Sequence, residues 1–137
     1  MALHEALIRV EKDGTISFGD YTLETKSKLS DFEYNGDLYK VKTYSELTKL
    51  EKNGLFLYES VPGTAVYHLN VTEKEISFLV AGNEDAQITL ELEPEKEYKI
   101  LIDDTNVGKM KTNLGGKLVL SVELTQDARV QIKVIKC

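Results

Sequence analysis

The sequence predicts an all-β protein. Apolar and polar residues alternate with a period of two through most of the chain, and Asp-Gly and Asn-Gly pairs break that alternation where tight hairpins need them. No apolar run approaches the length of a membrane-spanning helix, so the alternation describes strands with one buried face.

Taken in order, the first two hairpins are the clearest elements. Asp13-Gly14 lies between IRVE and TISF, and Asn35-Gly36 between DFEY and LYKV, and such pairs supply the positive φ that a two-residue turn demands. The polar stretch GDYTLETKSKLSD between the hairpins predicts an exposed connection. TYSELTKLEKNG predicts one short helix over about residues 44–52: Thr43 and Glu46 make a capping box, Tyr44, Leu47 and Leu50 recur on one face, and Gly54 supplies a left-handed stop. LFLYES resumes as a strand and VPGT marks a boundary. The chain thus divides into an aromatic-rich β module at 1–64 and a β-sandwich module at 65–137. In the second module Ile76, Phe78 and Val80, then Ile88, Leu90 and Leu92, then Tyr98, Ile100 and Ile102 repeat the inward pattern. Leu118, Leu120, Val122 and Leu124, and finally Val130, Ile132 and Val134, continue it, the rhythm of a seven-stranded sandwich.

Composition excludes several function classes. The single cysteine, Cys137, can neither close a disulfide framework nor complete a metal cluster. Net charge is −6, with no basic stripe in the sequence, which makes nucleic acid and anionic membrane poor partners. Glu5, Arg9 and Glu11 fall where a secretory signal would be apolar, so neither a Sec-type signal nor membrane insertion is expected, a pattern that permits a cytoplasmic setting.

Each chemical motif has a bland alternative that the spacing favours. Gly115-Gly116-Lys117 resembles part of a phosphate-binding loop. Lys111 and Leu118 occupy the places of the first glycine and the Ser or Thr, however, and the sequel alternates like a strand, so a hairpin turn is expected. His4 and His68 are far apart and lack companion cysteines, and His68 alternates onto the solvent side of its strand. Asp103 to Gly108 carries oxygen ligands at alternate places but lacks the closing glutamate of a calcium loop, which leaves a strand-connecting turn. The acidic runs EKE (73–75) and ELEPEKE (91–97) would serve a glycosidase if two carboxylates faced one bond; as strand edges they are solvated charges. Asn70-Val71-Thr72 matches a glycosylation acceptor, a chance match in the absence of a secretory signal.

The most informative feature is aromatic. Eight of the eleven aromatic residues precede residue 64. Tyr34 and Tyr39 flank the Asn35-Gly36 turn, Tyr21 sits in the exposed connection and Tyr58 lies beside an apolar strand, so Tyr21, Tyr34, Tyr39 and Tyr58 are the candidate binding residues for a sugar or a protein partner. The alternative is that these rings build the core of a small module.

Two resemblances add expectations. Through EKEYKILID, TNLGGKLVLSVEL and VQIKV the second half resembles the immunoglobulin-like or fibronectin-like accessory sandwiches at the ends of polysaccharide-active enzymes and surface proteins. Through residues 17–66 above all, the chain resembles short proteins of anaerobic Gram-positive bacteria that often carry the label endosialidase. A sialidase is a propeller several times longer that grips its substrate carboxylate with three arginines, and Arg9 and Arg129 are the only two here, so the label does not carry an activity to this chain.

The expectation is therefore a non-catalytic structural or protein-interaction module that self-associates, with a carbohydrate-binding module as alternative and a small carbohydrate-active hydrolase third. No catalytic residue, metal site or cofactor is expected, and the expected partner is a second copy, another protein or a glycan.

Overall fold

The computed structural model describes residues 7–126 and 128–137. It is all-β, with no helix among the described residues. The strands are β1 (Ile8–Val10), β2 (Ile16–Phe18), β3 (Ser27–Tyr34), β4 (Asp37–Tyr44), β5 (Leu47–Lys52), β6 (Leu55–Val61) and β7 (Ala65–Val71). They continue with β8 (Glu75–Ala81), β9 (Ala86–Glu91), β10 (Glu97–Ile102), β11 (Thr105–Lys111), β12 (Lys117–Val122) and β13 (Val130–Lys136). Seven form one antiparallel sheet in the order β1-β2-β7-β8-β13-β10-β11, and six form a second in the order β12-β9-β6-β5-β4-β3.

Local chemistry explains the hairpins. Asn35 and Gly36 take φ of 54° and 82° between Tyr34 and its partner Asp37, the signature of a two-residue turn whose twist matches the flanking strands. Asn53 and Gly54 repeat this between β5 and β6 with φ of 53° and 79°, and Asp103 and Asp104 join β10 to β11 in the same way. The connection expected at Asp103–Gly108 is thus a turn followed by a strand.

The helix expected at 44–52 is not there. Tyr44 pairs with Leu47 across a turn at Ser45 and Glu46, and residues 47–52 run as β5 between β4 and β6. Thr48 and Leu50 point into the core at alternate positions, a period-two pattern that coexists with the threefold spacing of Tyr44, Leu47 and Leu50. An isolated two-turn helix is marginal in water, whereas an interior strand satisfies its backbone on both sides, so the strand wins.

Gly115-Gly116 is not a hairpin turn either. It lies between β11 and β12, which belong to different sheets, so the chain crosses the sandwich here. Asn113 Oδ1 accepts the N–H groups of Gly115 and Lys117, and the Asn113 carbonyl accepts that of Gly116, so those amides are turned inward and not toward an anion. A Cβ at Gly116 would lie 2.2 Å from the Leu92 carbonyl oxygen.

Both sheets draw strands from either side of residue 64. Pairing of β2 with β7 and of β6 with β9 crosses the expected boundary, and the seven strands of the second half divide five to one sheet and two to the other. The inward residues read from the alternation fill the space between the sheets: Ile76, Ile88, Leu90, Ile100, Leu118, Ile132 and Val134 are each no more than 1% exposed. Burying such a side chain contributes about 1.5–3 kcal/mol, which makes the sandwich interior the main source of stability. At its centre Tyr58, from the six-stranded sheet, sits edge-on between Phe18 and Phe78 of the other, with ring centroids 5.3 and 5.7 Å away.

A buried hydroxyl network fixes the chain where it passes from one sheet to the other. Thr48 Oγ1 donates to the Thr64 carbonyl (2.7 Å) and accepts the Thr64 N–H (3.0 Å), and Thr64 Oγ1 meets Tyr58 Oη (2.8 Å) and Ser60 Oγ (2.7 Å). Thr43 Oγ1 meets Thr48 Oγ1 at 2.8 Å and accepts the Asp20 N–H. Thr48→Val keeps the shape but strands both polar groups of the Thr64 backbone, so it should cost about 2–3 kcal/mol. Denaturant melts with unchanged secondary structure by circular dichroism would check this, and a loss below a few tenths would contradict it.

Candidate functional site

The four candidate tyrosines do not share one face. Tyr58 is fully buried in the aromatic core and offers no surface to a ligand. Burial pushes its phenol well above the usual tyrosine range, against the smaller opposing effect of the hydrogen bonds to Thr64 and Ser60. Tyr21 borders a small cavity of about 110 Å³ with Arg9, Asp20, Thr22 and Tyr67. Asp20 is buried there with Oδ1 accepting from Thr22, while Oδ2 has no hydrogen-bond partner.

Tyr34 and Tyr39 do come together. They line a cleft of about 220 Å³ between the two sheets, with Gly14 and Ile16 from the first hairpin, Leu57 from β6, and Leu69, Asn70 and Val71 from β7. The Asn35-Gly36 turn sets this geometry, because it places Tyr34 opposite Asp37 and lets the Tyr34 hydroxyl reach across to donate to the Gly14 carbonyl at 3.1 Å. That contact bridges the turns of two hairpins in different sheets. Ile16 and Leu69 lie buried beneath the cleft, and Leu57 is half-buried at its border.

Its charges are internally balanced. Asp37 Oδ2 lies 3.6 Å from Lys52 Nζ, and Asp37 Oδ1 accepts from Asn53 Nδ2 at 2.8 Å. Burial, then the charge of Asp37, then Tyr34, raises the Tyr39 phenol above its ordinary pKa, so it remains a neutral hydrogen-bonding group. Among the described residues none hydrogen-bonds the Tyr39 hydroxyl or the side-chain amides of Asn35 and Asn70, all of which border the cleft. Sequence reasoning found the two rings from the turn between them. It missed Asp37, which the same turn places opposite Tyr34, and Lys52 and Asn70, whose place depends on pairings with strands farther along the chain.

A Thr-His-Asp cluster stands beside this cleft. His68 is in a bulge of β7 with φ of 55°, and its Nδ1 lies 3.0 Å from Thr15 Oγ1 and 3.1 Å from Asp13 Oδ2. A nucleophile relay needs the acid and the hydroxyl on opposite ring nitrogens, and here both meet Nδ1. Asp13 is held below the usual carboxylate range mainly by the Thr15 side-chain hydrogen bond, then by the Thr15 N–H, with His68 a smaller influence. The cluster is a staple between the first hairpin and the β7 bulge. His4 lies outside the described residues.

The acidic runs meet in a groove of about 190 Å³ bordered by Glu73, Glu75, Glu91, Glu93 and Tyr98. Glu91 pairs with Lys117 at 3.0 Å and Glu93 with Lys136 at 2.8 Å. The Lys136 hydrogen bond lowers the Glu93 pKa, the opposite of what a glycosidase acid requires. Among the described residues no group of three or more His, Cys, Asp or Glu side chains is placed to hold a metal ion.

Comparison with known proteins found no family model that matches the chain, and no curated protein or solved structure similar to it.

The Tyr58 environment gives a pH signature. Its folded pKa exceeds the unfolded value of about 10, so its stabilising contribution is whole below pH 10 and is lost as pH rises through the folded value. Tyr58→Phe should therefore remove about 1.4 kcal/mol of the decline in stability between about pH 9 and pH 11. Denaturant titrations of both proteins at the two pH values measure it; parallel declines would show that the phenol ionises as readily in the folded chain as in the unfolded one.

Proposed function

We propose that this chain is a non-catalytic binding module whose cleft between the sheets takes a neutral saccharide. One observation carries the proposal: the half-buried ring of Tyr34 borders the cleft beside the Tyr39 hydroxyl and the Asn35 and Asn70 amides, hydrogen-bonding groups that the protein itself leaves unengaged, while the Tyr39 ring is packed into the core behind them. Sugar rings present the complementary surfaces, apolar C–H faces for the aromatic walls and hydroxyls for the amides. Because Asp37 and Lys52 neutralise each other, a charged ligand gains little there. The volume suits a terminal sugar and not a long stretch of polymer. The resemblance of residues 65–137 to accessory immunoglobulin-like sandwiches points the same way. A glycan array followed by calorimetry should find a hit that Tyr34→Ala weakens by about fivefold or more, an aromatic contact's share of affinity. An array without any hit would end the proposal.

Self-association is a second reading, favoured by the sheet edges. Free edges are templates for pairing, and three of the four carry obstacles. The β3 edge is bulged, with Asp31 at φ of 59°; β11 carries Gly108 at φ of 124° with Lys109 and Lys111; β1 has three residues. The β12 edge runs six residues in regular register with β9, and its one charged residue is Lys117. Two copies joined there would extend one six-stranded sheet into the next. Light scattering on this reading gives twice the monomer mass, and Val119→Lys, at a position 41% exposed, returns the monomer; a wild-type monomer at high concentration would dismiss it.

A further inference from the structure

The outer face of the six-stranded sheet carries a row of like charges that the chain's net acidity conceals. In register, Lys28 faces Lys42 and Lys42 faces Lys49, three lysines on adjacent strands whose backbones run about 4.8 Å apart. Because Val41, Thr43, Thr48 and Leu50 point inward, the intervening lysines point out. Lys26 and Lys40 flank the row closely enough that Lys42 feels both. Burial, followed by the charges of Lys26, Lys28, Lys40 and Lys49, lowers the Lys42 pKa. Lys49 has Glu51 at 3.5 Å; among the described residues no carboxylate lies within ion-pair distance of Lys28, Lys40 or Lys42. Like charges directly opposite across a sheet are destabilising. Glutamates stand at its borders, Glu51 opposite Lys40 and Glu59 opposite Lys49, and the register pairs neither Lys28 nor Lys42 with a carboxylate.

We infer that this face binds an acidic polysaccharide through Lys28, Lys42 and Lys49. A linear chain of sugar acids carries repeated anionic groups along one direction, so one ligand crossing the strands can meet the three ammonium groups in turn. Nucleic acid fits less well, because binding of single strands draws on exposed aromatic platforms. The two rings of this face are already covered: Tyr44 by Lys26 at 5.6 Å, and Phe56 by Lys117 at 4.9 Å and Lys49 at 6.0 Å. The face is separate from the cleft and does not depend on it.

The test uses the full chain, fluorescent oligogalacturonate and heparin-derived oligosaccharides, and a single-stranded oligonucleotide, each titrated by anisotropy at low and high salt. At least one acidic saccharide should bind, and should weaken steeply with salt. The Lys28→Gln/Lys42→Gln variant should lose roughly tenfold or more in affinity, while melting at a higher temperature because the repulsion is gone. That opposite movement of affinity and stability separates a ligand site from a structural one. Failure of both saccharides to bind, tighter binding of the oligonucleotide, undiminished affinity in the variant, or a variant that melts lower would each overturn the inference.

Discussion

The fold depends on the polar knot at Thr64. A sandwich whose two sheets interleave strands from both ends of the chain must pass its backbone between layers, and each passage takes peptide groups through the dry interior. At the passage from β6 to β7 those groups are met by hydroxyls: Thr48 answers both the N–H and the carbonyl of Thr64, and Tyr58 and Ser60 meet its side chain. Buried polar groups are tolerated only when paired, and here the pairing also fixes direction. Gly63 completes the knot. Its N–H donates to the Ser45 carbonyl, and a Cβ there would fall 1.9 Å from the Tyr44 carbonyl oxygen, so the crossover lies directly against the β4–β5 turn.

The candidate cleft inherits its shape from that arrangement. With the sheets locked in register near residue 64, the hairpin turns of both meet farther along, and the Tyr34 hydroxyl reaches Gly14 across the gap. The cleft is what remains between two layers that close at the core and part at their ends. Its border joins a neutral phenol, a self-neutralised ion pair and amides without a protein partner, with Tyr58 kept back to hold the layers together. The lysine row uses the same sheet in another way, on a flat outer face where register alone creates the charge density.

Much of this was legible in the sequence, and the rest was lost for identifiable reasons. Leu118, Leu120, Val122 and Leu124 alternate inward as expected, as do Ile76, Phe78 and Val80, because burial of one face leaves a local signature. Which strand lies beside which has no local signature, so the exchange of strands across residue 64 could not be read. Residues 43–54 carried two contradictory patterns. The capping box and threefold spacing favour a helix with Gly54 as its stop, while Asn53-Gly54, the same turn pair as Asn35-Gly36, favours a hairpin. A helix at 44–52 also conceals the lysine row, since Lys42 and Lys49 face each other only when both lie on strands. Tyr34 and Tyr39 were found because a turn between two rings is a local feature; Asn70 was not, because its neighbours in space are far along the chain.

The edge strand β11 belongs to a sheet without belonging to the core. All seven of its residues are exposed, and its sheet pairing is to β10 alone. Its loss would uncover little apolar surface and would leave the other strands paired, since only the ladder to β10 holds it to the sheet. Changes to its outward side chains therefore reach the core least, which leaves this edge freer than the interior strands to acquire new contacts.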